Sequence, residues 1–191
     1  MLLAIDTSAG TSVALLAEDG AVVAERSTAD TRRHAEVIGP FLAEVLAAAP
    51  DVRGSLTAVA AGIGPGPFTG LRVGLAAARV LALALDIPVL GVPSHEAVAL
   101  RLLVAGEVAG RFAIVTDARR REVAVTVYTA ALPVPAEVEP AHLVERVAYV
   151  PEPGLTVHEV AEIPAAWLAR AAQARRAVGA SFPEPAPLYL R

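Results

Sequence analysis

The sequence predicts an α/β protein built as two related units, and three observations carry that expectation. Strand-like apolar runs alternate with helical patterns in the order β-β-β-α-β-α-β-α over the first half. A second unit begins near Gly110 with a strand ending in Asp117, a polar turn and another strand, an echo of the opening hairpin. Between them, Gly62-Ile-Gly-Pro-Gly-Pro-Phe-Thr-Gly-Leu-Arg-Val-Gly74 turns a strand sharply into a long apolar helix. The units are expected to divide as 1–108 and 109–191.

The elements follow in order. Leu2 to Ile5 is a short strand closed by Asp6-Thr7-Ser8-Ala9-Gly10; Ser12 to Ala17 is a second, and Asp19-Gly20 marks a hairpin into Ala21 to Ser27. From about Arg32 to Ala48 the residues Val37, Ile38, Phe41, Leu42, Val45 and Leu46 share a helical face. Pro40 inside that pattern predicts a kink, or a restart capped by Gly39. Strand Leu56 to Ala61, the glycine loop, a helix over Thr69 to Leu85, strand Pro88 to Gly91 and a helix from Ser94 to about Ala105 complete the first unit. In the second, Arg111 to Thr116 and Glu122 to Thr129 read as strands. Residues 133–153 read as proline-rich irregular connection with short strands, Pro164 to Val178 as the last helix, and 183–191 as an extended tail.

Composition narrows the chemistry. The 191 residues are 55 % hydrophobic and only 4 % aromatic, so small side chains require close backbone approach to fill a core. Net charge is −4 and every basic residue is arginine, a poor balance for gripping nucleic acid alone. The absence of cysteine excludes disulfides, thiolate catalysis and Cys-ligated zinc, and fits a cytoplasmic protein. The start, Met1-Leu-Leu-Ala-Ile-Asp6, lacks the basic region of a signal peptide, and the longest apolar stretch, Val73 to Val92, is broken by Arg79, Asp86 and Pro88. No membrane partner is expected. The glycine loop sits where backbone N–H groups can meet an anion, yet it lacks the Gly-Lys-Ser/Thr of a P-loop and the G-x-G-x-x-G spacing of a dinucleotide turn.

Three stretches together resemble one family: Leu3-Ala-Ile-Asp-Thr-Ser, the Gly62–Gly74 loop and helix, and Ile87-Pro-Val-Leu-Gly-Val. Arg32-Arg-His-Ala-Glu, Asp117-Ala-Arg and Pro187-Leu-Tyr-Leu-Arg extend the match over nearly the whole chain. The chain resembles the TsaB (YeaZ) family, the non-catalytic subunits of the bacterial machinery that makes threonylcarbamoyladenosine in tRNA. The resemblance implies an actin-like, sugar-kinase-like (ASKHA) fold of two lobes, the second shortened here. It implies docking on the catalytic paralogue TsaD, a TsaE-like ATPase in the same complex, a homodimer when alone, and only indirect contact with tRNA. It also implies no required cofactor, with ATP or ADP at the partner interface as an option. The paralogue's metal-binding His-x-x-x-His is missing: His95 is followed four residues later by Ala99, and the remaining histidines at 34, 142 and 158 are scattered.

The candidate residues carry paired readings. Asp6, Thr7, Ser8, Thr11 and Ser12 lie where this fold's first phosphate hairpin is expected, and form either a vestigial phosphate site or a turn held by its own hydroxyls. Gly70, Gly74, Ala78 and Ala82 make a ridge of small residues at i+4 spacing, with Arg72, Arg79 and Asp86 on another stripe. With His34, Val37 and Phe41 of the preceding helix, Gly70, Arg72, Gly74, Ala78, Arg79 and Ala82 are the expected partner interface. His34 also reads as a solvated helix-start residue, His95 as a first-turn residue of a helix capped by Ser94, and Trp167 as a packing anchor. Arg119-Arg120-Arg121 is a charged turn that either faces solvent or touches tRNA. The alternative function is a stand-alone actin-fold nucleotide hydrolase or phosphotransferase with Asp6 and Asp117 as its acids. A metalloprotease finds no zinc-ligand pair.

Overall fold

The computed structural model describes residues 1–49 and 51–190. The elements are β1 (Leu2–Asp6), β2 (Thr11–Leu16), β3 (Val22–Thr28), α1 (His34–Ala47), the short α2 (Val52–Ser55), β4 (Ala58–Gly62), α3 (Phe68–Leu85), β5 (Val89–Val92) and α4 (Ser94–Val104). The second half adds β6 (Arg111–Arg119), β7 (Glu122–Thr129), β8 (Ala136–Glu145), β9 (Thr156–Glu159) and α5 (Ala165–Ala177).

One sheet has the order β3-β2-β1-β4-β5, antiparallel through the first three strands of the chain and parallel from β1 to β4 to β5. The other has the order β8-β7-β6-β9, antiparallel through β6, β7 and β8, with β9 parallel to β6. Each sheet is thus a three-stranded meander whose first strand gains a parallel neighbour. The two-lobed α/β plan expected from the sequence is present, and the echo at Gly110 is a repeat of topology.

Side chains alternate across a strand, so a strand apolar at every position must be covered on both faces. β1 is such a strand. Leu3 and Ile5 join Val13, Leu15, Val59 and Ala61 in a cluster sealed by α1 and α3, while Leu2 and Ala4 face α4 and α5. That second cluster continues through α4 and α5 to Phe112, Ile114 and Tyr128 of the second sheet. Helices α4 and α5 are therefore a layer between the two sheets. α5 lies beyond the 108/109 division in sequence, yet it packs against β1 and β2. The layer carries a buried ion pair: Arg175 of α5 donates to both carboxylate oxygens of Glu96 in α4, at 2.7 Å and 2.5 Å. Trp167 of α5 packs at the edge of this cluster with the Arg170 guanidinium over its ring, as an anchor should.

Two local expectations need correction. α1 is one helix through Pro40, so Gly39 caps no restart there. Gly39 and Pro40 lie on its exposed face, where water can serve the carbonyl that the missing N–H leaves free. Within the proline-rich connection, Ala136 to Glu145 forms a ten-residue strand. β8 is an edge strand, and Pro140 falls where its register against β7 shifts, between the His142 and Glu139 pairs, so no regular ladder bond is lost there. α3 is apolar and long enough to cross a membrane by composition alone, but Leu71, Leu75, Ala78 and Ala82 are buried on one face as protein core.

Candidate functional site

The glycine loop and the β1–β2 hairpin are built as one piece. Asp6 ends β1 fully buried; its Oδ1 accepts from the Ser8 amide at 2.8 Å and the Ser8 hydroxyl at 2.6 Å, and its Oδ2 accepts from the Ser94 hydroxyl at 2.5 Å. Ser94 in turn accepts from the Gly64 amide at 3.1 Å, so one carboxylate ties β1, the glycine loop and α4 together. Ser94 is the first residue of α4, with Pro93 at the cap position, and its hydroxyl is engaged by this network rather than by its helix. Burial raises the Asp6 pKa, against the lowering effect of the hydroxyl and amide donors.

Thr7 meets α3. Its hydroxyl donates to the Gly70 carbonyl at 2.8 Å and accepts from the Gly74 amide at 3.0 Å, the two groups that a regular helix joins directly. A Cβ on Gly70 would stand 2.7 Å from the Thr7 carbonyl oxygen, and one on Gly66 would stand 2.6 Å from that of Ser8. The glycines are there because the hairpin backbone lies against the helix. The small-residue ridge is therefore occupied within the chain: Gly70, Gly74, Ala78 and Ala82 all face inward, which corrects their expected place on a partner surface. His34 is corrected too, in both its readings. It is buried, its Nδ1 shares a 2.8 Å hydrogen bond with the Thr11 hydroxyl, and burial chiefly, with Arg119 nearby, lowers its pKa. Ser12 donates to the Ile163 carbonyl at 2.6 Å. All five hairpin side chains offered as a phosphate site are buried and engaged with protein groups.

His95 is fully buried between two hydroxyls, Thr126 at 2.8 Å from Nδ1 and Thr116 at 2.9 Å from Nε2, and burial holds its pKa down to about 3. It is a neutral core residue that joins α4 to the second sheet. Asp117, the other acid of the hydrolase reading, is exposed and pairs with Arg146 at 3.1 Å. Among the described residues no three His, Asp or Glu side chains come together as metal ligands.

Two surfaces among the described residues bear on the expected sites. The first is a cleft of about 430 Å³. Gly66, Pro67, Phe68 and Thr69 form one wall, Arg119, Arg120 and Leu143 another, and Tyr189 and Leu190 a third. The Arg119–Arg121 turn has three consecutive positive φ angles, 64°, 52° and 67°, and Arg119 donates to the Thr31 carbonyl at 3.0 Å. The N-terminal end of α3 and the Arg119 and Arg120 side chains both line this cleft, which suits it to an anion. The second surface is the outer face of α3 beside α1. Val80 is 68 % exposed and Leu83 85 % exposed, with Ala76 and Ala84 exposed beside them. An apolar groove of about 360 Å³ lined by Ala43, Leu46, Ala47, Val52, Leu56, Leu81 and Leu85 runs along the α1 flank of the same helix. Of the expected interface residues, Val37 and Phe41 are half-buried at α1, and Arg72 and Arg79 are exposed on α3 but bonded to the chain's own tail. Val80 and Leu83 were missed in the sequence, although large apolar residues opposite the buried face of a helix signal a second packing partner.

A family model described as TsaD, tRNA N6-adenosine threonylcarbamoyltransferase, matches residues 15–161. A protein of Mycobacterium tuberculosis is 46 % identical over 124 residues, covering 64 % of this chain and 56 % of that protein. The tRNA threonylcarbamoyladenosine biosynthesis protein TsaB of Bacillus subtilis is 35 % identical over 128 residues, covering 66 % of this chain and 54 % of that protein. The chain thus spans little more than half the length of the curated relatives it matches. The solved structure of YeaZ from Pseudomonas aeruginosa superposes with a TM-score of 0.81 at 26 % identity, covering 99 % of both chains. With most of its length matched by the family model, and with TsaB and YeaZ as its relatives in sequence and in fold, the chain belongs to the TsaB (YeaZ) group of the TsaD family.

Proposed function

We propose that this chain acts in tRNA threonylcarbamoyladenosine biosynthesis as a non-catalytic scaffold that docks on a TsaD-type catalytic homologue. The observation that carries the reading is the outer face of α3, where Val80 and Leu83 stand in solvent beside an apolar groove against α1. Large apolar side chains grouped in this way mark a surface that is covered in the working state. The residues that could have done chemistry are engaged in the fold: Asp6 with Ser8 and Ser94, His95 with Thr116 and Thr126, Asp117 with Arg146. Docking then acts by favouring the competent state of the partner, and its effect is bounded by the difference in affinity for the partner's states. The same face serves a homodimer when the partner is absent, a TsaE-like ATPase joins the assembly, and tRNA is contacted only by the partner. The arginine-lined cleft suits an anion, and ATP or ADP at the partner interface is the anion that the family suggests.

The test is direct binding of the homologue to wild-type protein and to Leu83→Glu. Leu83 is exposed, so the substitution leaves the fold intact by circular dichroism. A charge buried without a partner in the interface should weaken binding at least tenfold. Equal affinity for both proteins would remove α3 from the interface.

A further inference from the structure

Residues 183–190 form no regular element, yet they lie along α3. Arg79 donates to the Pro185 carbonyl at 2.7 Å, and Arg72 donates to the Tyr189 hydroxyl at 2.9 Å. The Tyr189 ring stacks on Phe68 with centroids 4.9 Å apart, and the Arg72 guanidinium sits 3.7 Å from the Phe68 centroid. Only Leu188 among these residues donates a backbone hydrogen bond to the body of the protein, to the Ile63 carbonyl at 2.7 Å. Pro183, Pro185 and Pro187 have no N–H to offer, and they hold the segment extended whether or not it is seated. The segment is anchored by the Leu188 side chain against the core cluster of α1 and α3 and by the Pro183 and Glu184 carbonyls lying against Gly91, whereas its contacts with Phe68, Arg72 and Arg79 on α3 are exposed, and little conformational entropy opposes its return. By helical spacing Arg79 and Leu83 share a face, so the seat borders the exposed apolar stripe.

We propose that residues 183–190 are a displaceable strap, seated on Arg72 and Arg79, and that a TsaD-type partner docking on α3 takes those arginines and lifts it. The proposal rests on the docking reading above. Carboxylates or carbonyls of the partner replace the Pro185 carbonyl and the Tyr189 hydroxyl on the guanidinium groups. Because Tyr189 and Leu190 form one wall of the cleft, displacement also opens the cleft toward the interface.

The experiment follows hydrogen exchange at the Leu188 amide by NMR, with and without the TsaD homologue, in wild-type protein and in Tyr189→Ala. Tyr189 is exposed, and circular dichroism checks that the fold survives its loss. The expected result is faster exchange at Leu188 when the partner binds, and partner binding about tenfold tighter in Tyr189→Ala, equivalent to about 1.4 kcal/mol. Binding with Leu188 unchanged or better protected, or equal affinity of both proteins, overturns the strap and leaves the docking reading standing. No binding by either protein overturns the docking reading, and the strap falls with it.

Discussion

Gly74→Ala is the sharpest probe of how the hairpin and α3 are joined, because two effects of opposite sign compete at one atom. In an isolated helix, alanine is favoured over glycine by about 1 kcal/mol. In this protein the new Cβ would fall on the Thr7 hydroxyl and stand 3.1 Å from its Cγ2. Thr7 sits in a buried hairpin whose own backbone touches Gly70, so it cannot withdraw along the sheet. It must rotate away, and its bonds to the Gly70 carbonyl and the Gly74 amide are then lost. Two buried hydrogen bonds are worth about 0.5–1.5 kcal/mol each, and overpacking a close-packed site costs about 1–3 kcal/mol. Set against the helix gain, the net loss is about 1–5 kcal/mol and centred near 3, which for a chain of this size lowers Tm by about 6–12 °C. Thermal and urea unfolding followed by circular dichroism measure it. In the double variant Thr7→Ala/Gly74→Ala the overlaps with the hydroxyl and Cγ2 are gone and only the 3.2 Å approach to Cβ remains, so its cost should fall below the sum of the single costs by about 1–2 kcal/mol. If Gly74→Ala alone is as stable as wild type or more so, the close approach of hairpin and helix is wrong.

Three further predictions concern buried charge. The Asp6 pKa is raised from 3.8 in the folded protein, so the native state holds a proton that the unfolded chain releases, and stability falls as pH climbs from 3.8 through the folded value. Asp6→Asn keeps an acceptor for Ser8 and should flatten that fall without loss at pH 7; urea midpoints from pH 4 to 8 read it, and a variant much weaker at pH 7 would contradict it. His95 has the opposite sign: its pKa is lowered from 6.5 to about 3, so the unfolded state takes up the proton first. Stability is lost as pH falls below 6.5, at up to about 1.4 kcal/mol per pH unit. His95→Leu should shed that slope in the same urea series while costing about 1–3 kcal/mol at pH 7, because the Thr116 and Thr126 hydroxyls lose their partner. An unchanged slope would place the acid sensitivity elsewhere. Arg175→Met leaves the Glu96 carboxylate, whose side chain is 4 % exposed, without its cation, and should cost about 3–5 kcal/mol by urea unfolding at pH 7. A loss under 1 kcal/mol would mean that Glu96 finds water or another donor.

The strand and helix order was legible because both faces of β1 and β4 are apolar and because Gly, Pro and Asp punctuate the turns. β8 was not, since Pro133 and Pro135 just before it and Pro140 within it mask a strand that tolerates the last at an edge. At the site, the ridge of small residues on α3 was visible, but spacing alone cannot say which surface fills a ridge. Thr7 and Gly70 are 63 positions apart, and only the fold brings that hydroxyl to the helix. His34 looked solvated because its neighbours Arg32, Arg33 and Glu36 are charged; its bond to Thr11 crosses 23 residues and leaves no local trace. The outer stripe of Val80 and Leu83 was hidden by uniform hydrophobicity. The tail's seat on Phe68, Arg72 and Arg79 depends on contacts more than 100 residues apart.

A chain that works by docking should govern the chemistry of its partner while carrying out none itself. The direct measurement is threonylcarbamoyladenosine formation on tRNA by the TsaD homologue of the same organism, with its other required proteins, in the presence and absence of this chain. Modification should depend on wild-type protein, persist with Asp6→Asn, and be lost with Leu83→Glu although that variant remains folded. Equal modification without the chain, or full support by Leu83→Glu, would contradict it.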